Sequence, residues 1–374
     1  METHVPGELS HQKMKGKWWM IKKIKLFKNY LQAKSSADIV QLYPALGYYV
    51  LLCMLFFQLQ WYTQDSWEAS NMYVPPSPVP REHIDNMAQL EDGITFVTAY
   101  FDLGTFKKGS IAFKYFGKQN YKNWMTAFSK LNNSVILFTD SLEIEILFRN
   151  LRKQFPSHMT RIINIQQDSL WSFKLAPQIK QIYAQPGYPH YPPNTVNEKY
   201  SCAMHVKYEA LEMVIRQKQY KTKQLAWIDI GYFRDKETKP FTLEIPPDLK
   251  KDHIAFMQID KFEEGLLPLD IIGDNMVWIA GGMFLGQPDY LLTFIADYRR
   301  TVESLIVDKM MSTDQQVLYI MYSKNTKVRA RVPIQVYYHI CRCDWFFLGS
   351  ICRYTWEKKH WHRPPVGYFG ALAL

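Results

Sequence analysis

One acid interrupts one of the most apolar runs in the chain. QLAWIDIGYF (224–233) reads as a buried strand whose only charge is Asp229. A strand interior tolerates a carboxylate when it is hydrogen-bonded, paired or bound to a cation. Asp229 is therefore either a structural acid satisfied by nearby backbone or the anchor of a divalent ion. A second apolar run, VWIAGGMFLG (277–286), is broken by Gly281 and Gly282. Paired glycines in a strand signal close approach of a ligand or another chain segment, with a bulge as the plainer reading. Asp314 opens the helical run DQQVLYIMYSK, where Thr313 as N-cap and a favourable first-turn charge account for it without chemistry. Lys174 and Lys207 could meet anionic phosphates, although single lysines are ordinarily plain surface.

The elements that must carry these residues alternate. ITFVTAY (94–100), SVILFTD (134–140) and TRIINI (160–165) read as strands, separated by helical spacing over 120–131 and by an amphipathic helix over 141–155 with Ser141 as N-cap. EKYSCAMHVKYEALEMVIRQKQ (198–219) is the longest predicted helix of this part, and two more follow over 290–307 and 313–324. This order indicates βαβ units, hence an α/β class with a mostly parallel sheet flanked by helices. Ligands then bind beyond the carboxyl ends of the strands. Thr98, Tyr100 and Asp102, then Thr139 and Asp140, then Asp229 all fall at such ends. No Walker loop, GxGxxG, GxSxG or HExxH occurs.

Ahead of this part lies a different kind of sequence. Asp38 and Asp65 bracket 26 residues without a charge, with LYPALGYYVLLCMLFFQL at 42–59 as their core, and eight lysines precede them between positions 13 and 34. Eighteen or more apolar residues can span the roughly 30 Å hydrocarbon layer, and flanking positive charge stays cytosolic. The layout expected is a cytosolic basic head (1–38), a transmembrane signal anchor (39–62), a Pro-containing stem (63–93) with VPPSPVP in extended form, a lumenal domain (94–350) and a C-terminal tail (351–374). Half of the formal charge of +10 sits in that head, which argues against nucleic acid as a partner.

In an oxidising compartment Cys202, Cys341, Cys343 and Cys352 form an even set, and Cys341 and Cys343 are expected to pair with Cys202 and Cys352. The same region allows a zinc reading through His339 with Cys341, Cys343 and Cys352. Asn132 heads an N-x-S sequon, a candidate glycosylation site.

TFVTAYFDLG, KNW, VILFTD, WIDIGYFRD, GGMFLG and DQQVL, in that order from about 94 to 345, resemble the HtrL/YibB family. That family is similar to nucleotide-sugar glycosyltransferases of the GT-A type. The resemblance implies a GT-A-like, Rossmann-type sheet with the donor across its C-terminal edge. Thr98, Ala99, Tyr100 and Asp140 would line the nucleoside, and Asp229 would stand where those enzymes place a metal-binding DxD. Gly281 and Gly282 would line the sugar and acceptor side. Asp229-Ile230-Gly231 offers one carboxylate where a DxD offers two; Mg²⁺ or Mn²⁺ on a diphosphate can be held by one or two protein carboxylates with phosphate oxygens and water, with His339 or Asp235 as a conceivable further ligand. The function expected is a type II membrane glycosyltransferase of the Golgi or endoplasmic reticulum. It would pass a sugar from a nucleotide-sugar donor to a glycan, protein or lipid acceptor, with Asp314 as candidate base. The alternative is a non-catalytic lumenal binding protein on the same scaffold.

Overall fold

A computed structural model describes residues 90–108, 114–234, 239–339 and 344–360. The basic head, the apolar segment 39–62 and the stem before residue 90 lie outside the described residues, as do Asp235, Cys341 and Cys343. Among the described residues no helix is long and apolar enough to cross a membrane.

Among the described residues nine strands form: β1 Glu91–Tyr100, β2 Phe106–Lys108, β3 Lys114–Phe116, β4 Ser134–Thr139, β5 Thr160–Asn164, β6 Thr222–Ile228, β7 Ile254–Gln258, β8 Ile279–Gly286 and β9 Ile334–Tyr337. Seven of them make the central sheet, in the order β5-β4-β1-β6-β8-β7-β9, while β2 and β3 form a separate hairpin. β5, β4, β1 and β6 run parallel; β8 alone opposes its neighbours, and β9 is parallel to β7. The chain leaves β1 outward through β4 and β5, then returns with β6 on the other side of β1. That reversal is a topological switch point, where the loops diverge and leave a crevice at the strand ends.

The strands read as continuous apolar runs because both faces are covered. Alternate residues feed two cores: Val97, Ile136, Phe138, Leu225 and Trp227 face one, and Phe96, Val135, Leu137, Ala226 and Ile228 face the other. The first core is covered by the helices α5 Glu198–Arg216, α7 Pro288–Val307 and α8 Asp314–Tyr322. The second is covered by α1 Lys118–Met125, α2 Leu142–Leu151 and α9 Phe347–His360. The connecting helices are α3 Trp171–Lys174, α4 Ala176–Tyr183 and α6 Pro268–Gly273.

Local chemistry explains several boundaries. Ser141 caps α2 by accepting from the Ile144 amide at 3.4 Å, with Glu143 and Glu145 in the first turn and Arg149 in the last. Asn197 caps α5 by accepting from the Tyr200 amide at 3.0 Å. α1 stops at Met125, short of the end of the periodicity at Leu131, and continues as a 3₁₀ turn, Thr126–Ser129. Beneath that turn the guanidinium of Arg152, 2% exposed, donates to the carbonyls of Phe128, Leu131, Asn133 and Met159 and to the Thr160 hydroxyl. It has no carboxylate among these partners, and burial lowers it to about 10.

Two expectations about extent are corrected. α9 runs through the expected boundary at 350, and Cys352 in it is fully buried in the second core. The strand expected over 224–233 ends at Ile228, because residues 229–232 close a turn in which the Tyr232 amide donates to the Asp229 carbonyl at 2.8 Å.

Candidate functional site

The crevice at the switch point is a cleft of about 110 Å³. Its floor is the end of β1 (Ala99, Tyr100) and the start of the turn after β6 (Asp229 to Tyr232). Aromatic rings form its walls. Tyr121 lies edge-on to Tyr100 at 5.7 Å and to Trp124 at 5.1 Å, and Phe106 packs on Tyr200 at 5.1 Å.

Three cations reach this space. Lys108, at the end of β2, donates to the Tyr200 hydroxyl at 2.9 Å. Arg234 sits with its guanidinium 5.2 Å from the Trp124 ring and 5.5 Å from that of Phe346. Lys118 is engaged at the rim, 2.7 Å from Asp102 and 3.5 Å from Glu143. Its hydrogen bond holds the Asp102 carboxyl below the ordinary carboxylate range. Asp229 is the one acid among the described residues that line the cleft.

Behind Asp229 lies a buried charge cluster. The Lys207 ammonium, 2% exposed, is 3.2 Å from Asp229 Oδ1, 3.0 Å from Asp314 Oδ2 and 2.8 Å from the Gly281 carbonyl. The ammonium thus donates to one carbonyl and is ion-paired to two carboxylates. Burial works against its charge, but the two carboxylates overcome it and raise the ammonium well above the ordinary lysine range. Asp314 is 2% exposed, and burial raises its carboxyl even against the attraction of Lys207. The Trp227 indole donates to the same Asp229 oxygen at 2.7 Å.

Glycines make this geometry feasible. A β-carbon on Gly281 would overlap Asp314 Oδ2 and come within 3.2 Å of Lys207 Nζ, so the strand must be bare there. The β7 pairing skips from Phe284 to Ala280 at this point, a bulge that turns the glycines toward the cluster. The paired glycines thus admit another chain segment rather than a ligand. Gly282 accepts from the Asp229 amide at 2.8 Å. At Gly231 a β-carbon would lie 2.7 Å from the Trp124 ring. No side chain, and so no second carboxylate, fits at the third position of the Asp229-Ile230-Gly231 turn.

The other expected residues are distributed as follows. Ala99 and Tyr100 line the cleft, whereas Thr98 is fully buried in β1. Asp140 ties loops together, accepting from the Asp102 amide at 3.3 Å and from Gln167 at 2.5 Å. Lys174 is exposed at the end of α3 and does not line the cleft. Asp314 does not line it either, because it is sealed beneath Gly281. Asn132 is half-buried before β4 and donates to the Thr242 hydroxyl at 3.2 Å. Cys202 and Cys352 are buried in cores on opposite faces of the sheet, and Cys341 and Cys343, their expected disulfide partners, lie outside the described residues. The His339 ring meets Phe347 at 5.1 Å, and no group of three His, Cys, Asp or Glu among the described residues could hold a metal ion.

The cleft residues that sequence reasoning missed are Lys108, Tyr121, Trp124, Tyr200 and Arg234. Two had a signal: Trp124 ends KNW and Arg234 stands in WIDIGYFRD.

Fold and cleft define a mixed α/β protein with a crevice at a topological switch point. The chain belongs to the HtrL/YibB family: the model described as "Bacterial protein of unknown function (HtrL_YibB)" matches residues 92–353. Protein HtrL of Escherichia coli (strain K12) is 23% identical over 259 residues, spanning 62% of this chain and 84% of that protein. Among solved structures, mouse xyloside xylosyltransferase 1 in its apo form is similar at 9% identity and a TM-score of 0.33. It covers 60% of this chain and 80% of that one, a likeness too remote to bear on function.

Proposed function

We propose that the cleft binds a nucleotide-sugar donor and that the protein is a glycosyltransferase of GT-A type. One observation carries this reading. An aromatic-walled crevice at the switch point of parallel strands holds Lys108 and Arg234 on the same side as a single acid, Asp229. Rings suit a nucleoside, the cations suit a diphosphate, and the acid suits sugar hydroxyls or an acceptor proton. In the transfer, the bond from the anomeric carbon to the diphosphate oxygen breaks and one to an acceptor oxygen forms. The acceptor proton goes to a base. Asp314, expected for that role, is enclosed with Lys207, so Asp229 takes it.

We extend the proposal to the charge-free segment and its lysine-rich head, read as a type II signal anchor of the Golgi or endoplasmic reticulum, with Asn132 glycosylated. Deglycosylation that leaves gel mobility unchanged, together with a protease-accessible cytosolic domain, would remove that extension. The activity itself is tested by screening the full chain for hydrolysis of a panel of nucleotide sugars. A single preferred donor is the expected result; no turnover of any donor counts against the transferase.

A second reading has its own support. Among the described residues only one acid lines the cleft, and the other carboxylate of the cluster is sealed. A non-catalytic protein that binds nucleotide sugar without turning it over would keep this arrangement. Saturable donor binding with no hydrolysis or transfer would favour it.

A further inference from the structure

A transferase of the GT-A type implies a divalent ion held by two carboxylates against the donor's diphosphate. The described residues do not fit one. Gly231, where the second carboxylate would stand, is closed to any side chain by Trp124, since a β-carbon there would sit 2.7 Å from its ring. Asp229 has one oxygen already committed, to the Lys207 ammonium at 3.2 Å and the Trp227 indole at 2.7 Å. A divalent ion on the remaining oxygen would face that ammonium across one carboxyl group, and like charges so close repel strongly in a partly desolvated site. Lys207 cannot swing away, because it is buried and its other two partners are Asp314 and the Gly281 carbonyl.

Positive charge is supplied from elsewhere. Arg234 is held between the Trp124 and Phe346 rings, with its Nε 3.4 Å from the Gly231 carbonyl. Stacked in this way, a guanidinium keeps its planar fork free for phosphate oxygens. Lys108 reaches the same cleft and is steadied by the Tyr200 hydroxyl. Neither has a carboxylate partner within 4.0 Å among the described residues.

Resting on the nucleotide-sugar reading, we propose that Arg234 and Lys108 bind the donor's diphosphate in place of a divalent ion, with Lys207 as the fixed counter-charge that keeps metal off Asp229. The site is thus a cation-lined diphosphate site that works without metal.

Calorimetric titration of the full chain with UDP and with GDP, each in EDTA and in excess Mn²⁺, tests this. The expected result is binding of one of them with the same affinity in both conditions. Arg234→Gln and Lys108→Met should each weaken it at least about tenfold in EDTA, the loss of one charge-assisted bond, with unchanged melting temperatures. Binding that needs Mn²⁺, or is strengthened tenfold or more by it, overturns the proposal while leaving the nucleotide-sugar reading intact. Metal-independent binding insensitive to both substitutions overturns the assignment of these two residues. Absence of binding in either condition would overturn the nucleotide-sugar reading itself, and this proposal with it.

Discussion

Lys207 and Asp314 form an ion pair 3.0 Å long in which both side chains are only 2% exposed. Removing one member of such a pair leaves a buried charge without compensation, which typically costs about 3–5 kcal/mol. Lys207→Met should therefore lower unfolding free energy on that scale in denaturant titration. Replacing both members, as Lys207→Met with Asp314→Leu, should recover a large part of the loss. Asp229→Asn should move stability much less than Lys207→Met, since Lys207 keeps Asp314 and the Gly281 carbonyl. A double variant as unstable as the sum of the singles would contradict the pairing.

The turn at Asp229 is shaped by a ring from another element. With a β-carbon 2.7 Å from the Trp124 ring, Gly231→Ala overpacks the contact and should cost about 1–3 kcal/mol. Truncating the ring as Trp124→Ala removes the obstacle, so the two changes should couple by at least about 0.5 kcal/mol in a double-mutant cycle. Strict additivity would mean that Trp124 is not what forbids a side chain at 231.

Much of this was legible in the sequence, for reasons that can be named. The strands β1, β4 and β6 each carry a run of buried apolar residues, so their positions follow from composition. α2 announces itself through Ser141 and the spacing of Ile144 and Phe148. The short strands β7 and β9 escaped notice, since four or five residues such as IQVY carry too little pattern. At the site, Asp229 stood out because an acid in an apolar run requires a partner. That partner, Lys207, lies 22 positions earlier on α5, and no local pattern could have joined them. The burial of Asp314 was equally illegible, since its place against Gly281 depends on a bulge in another strand.

His205 gives the fold a pH dependence of known sign. It is fully buried on α5, its Nδ1 2.6 Å from the Tyr298 hydroxyl. Burial, with a smaller contribution from the Lys207 charge, pushes it down to about 3. The unfolded chain takes up this proton as pH falls below about 6.5, while the folded chain does not until about 3. The contribution is complete above pH 6.5 and is lost through that window at up to about 1.4 kcal/mol per pH unit. In denaturant titrations at several pH values, His205→Gln should flatten the slope between pH 6 and 4. An unchanged slope would show that His205 titrates normally in the folded protein.

The central claim, a nucleotide-sugar site in the cleft, is tested most directly by blocking that cleft. Ala203, on α5, lines it, and Ala203→Trp should fill it. Saturable binding of one nucleotide sugar to the wild-type chain is measured by calorimetry and compared with the variant. The account predicts a loss of binding of at least about a hundredfold in a variant of unchanged melting temperature. Binding that persists in Ala203→Trp, or a wild-type chain that binds no nucleotide sugar at all, would contradict it.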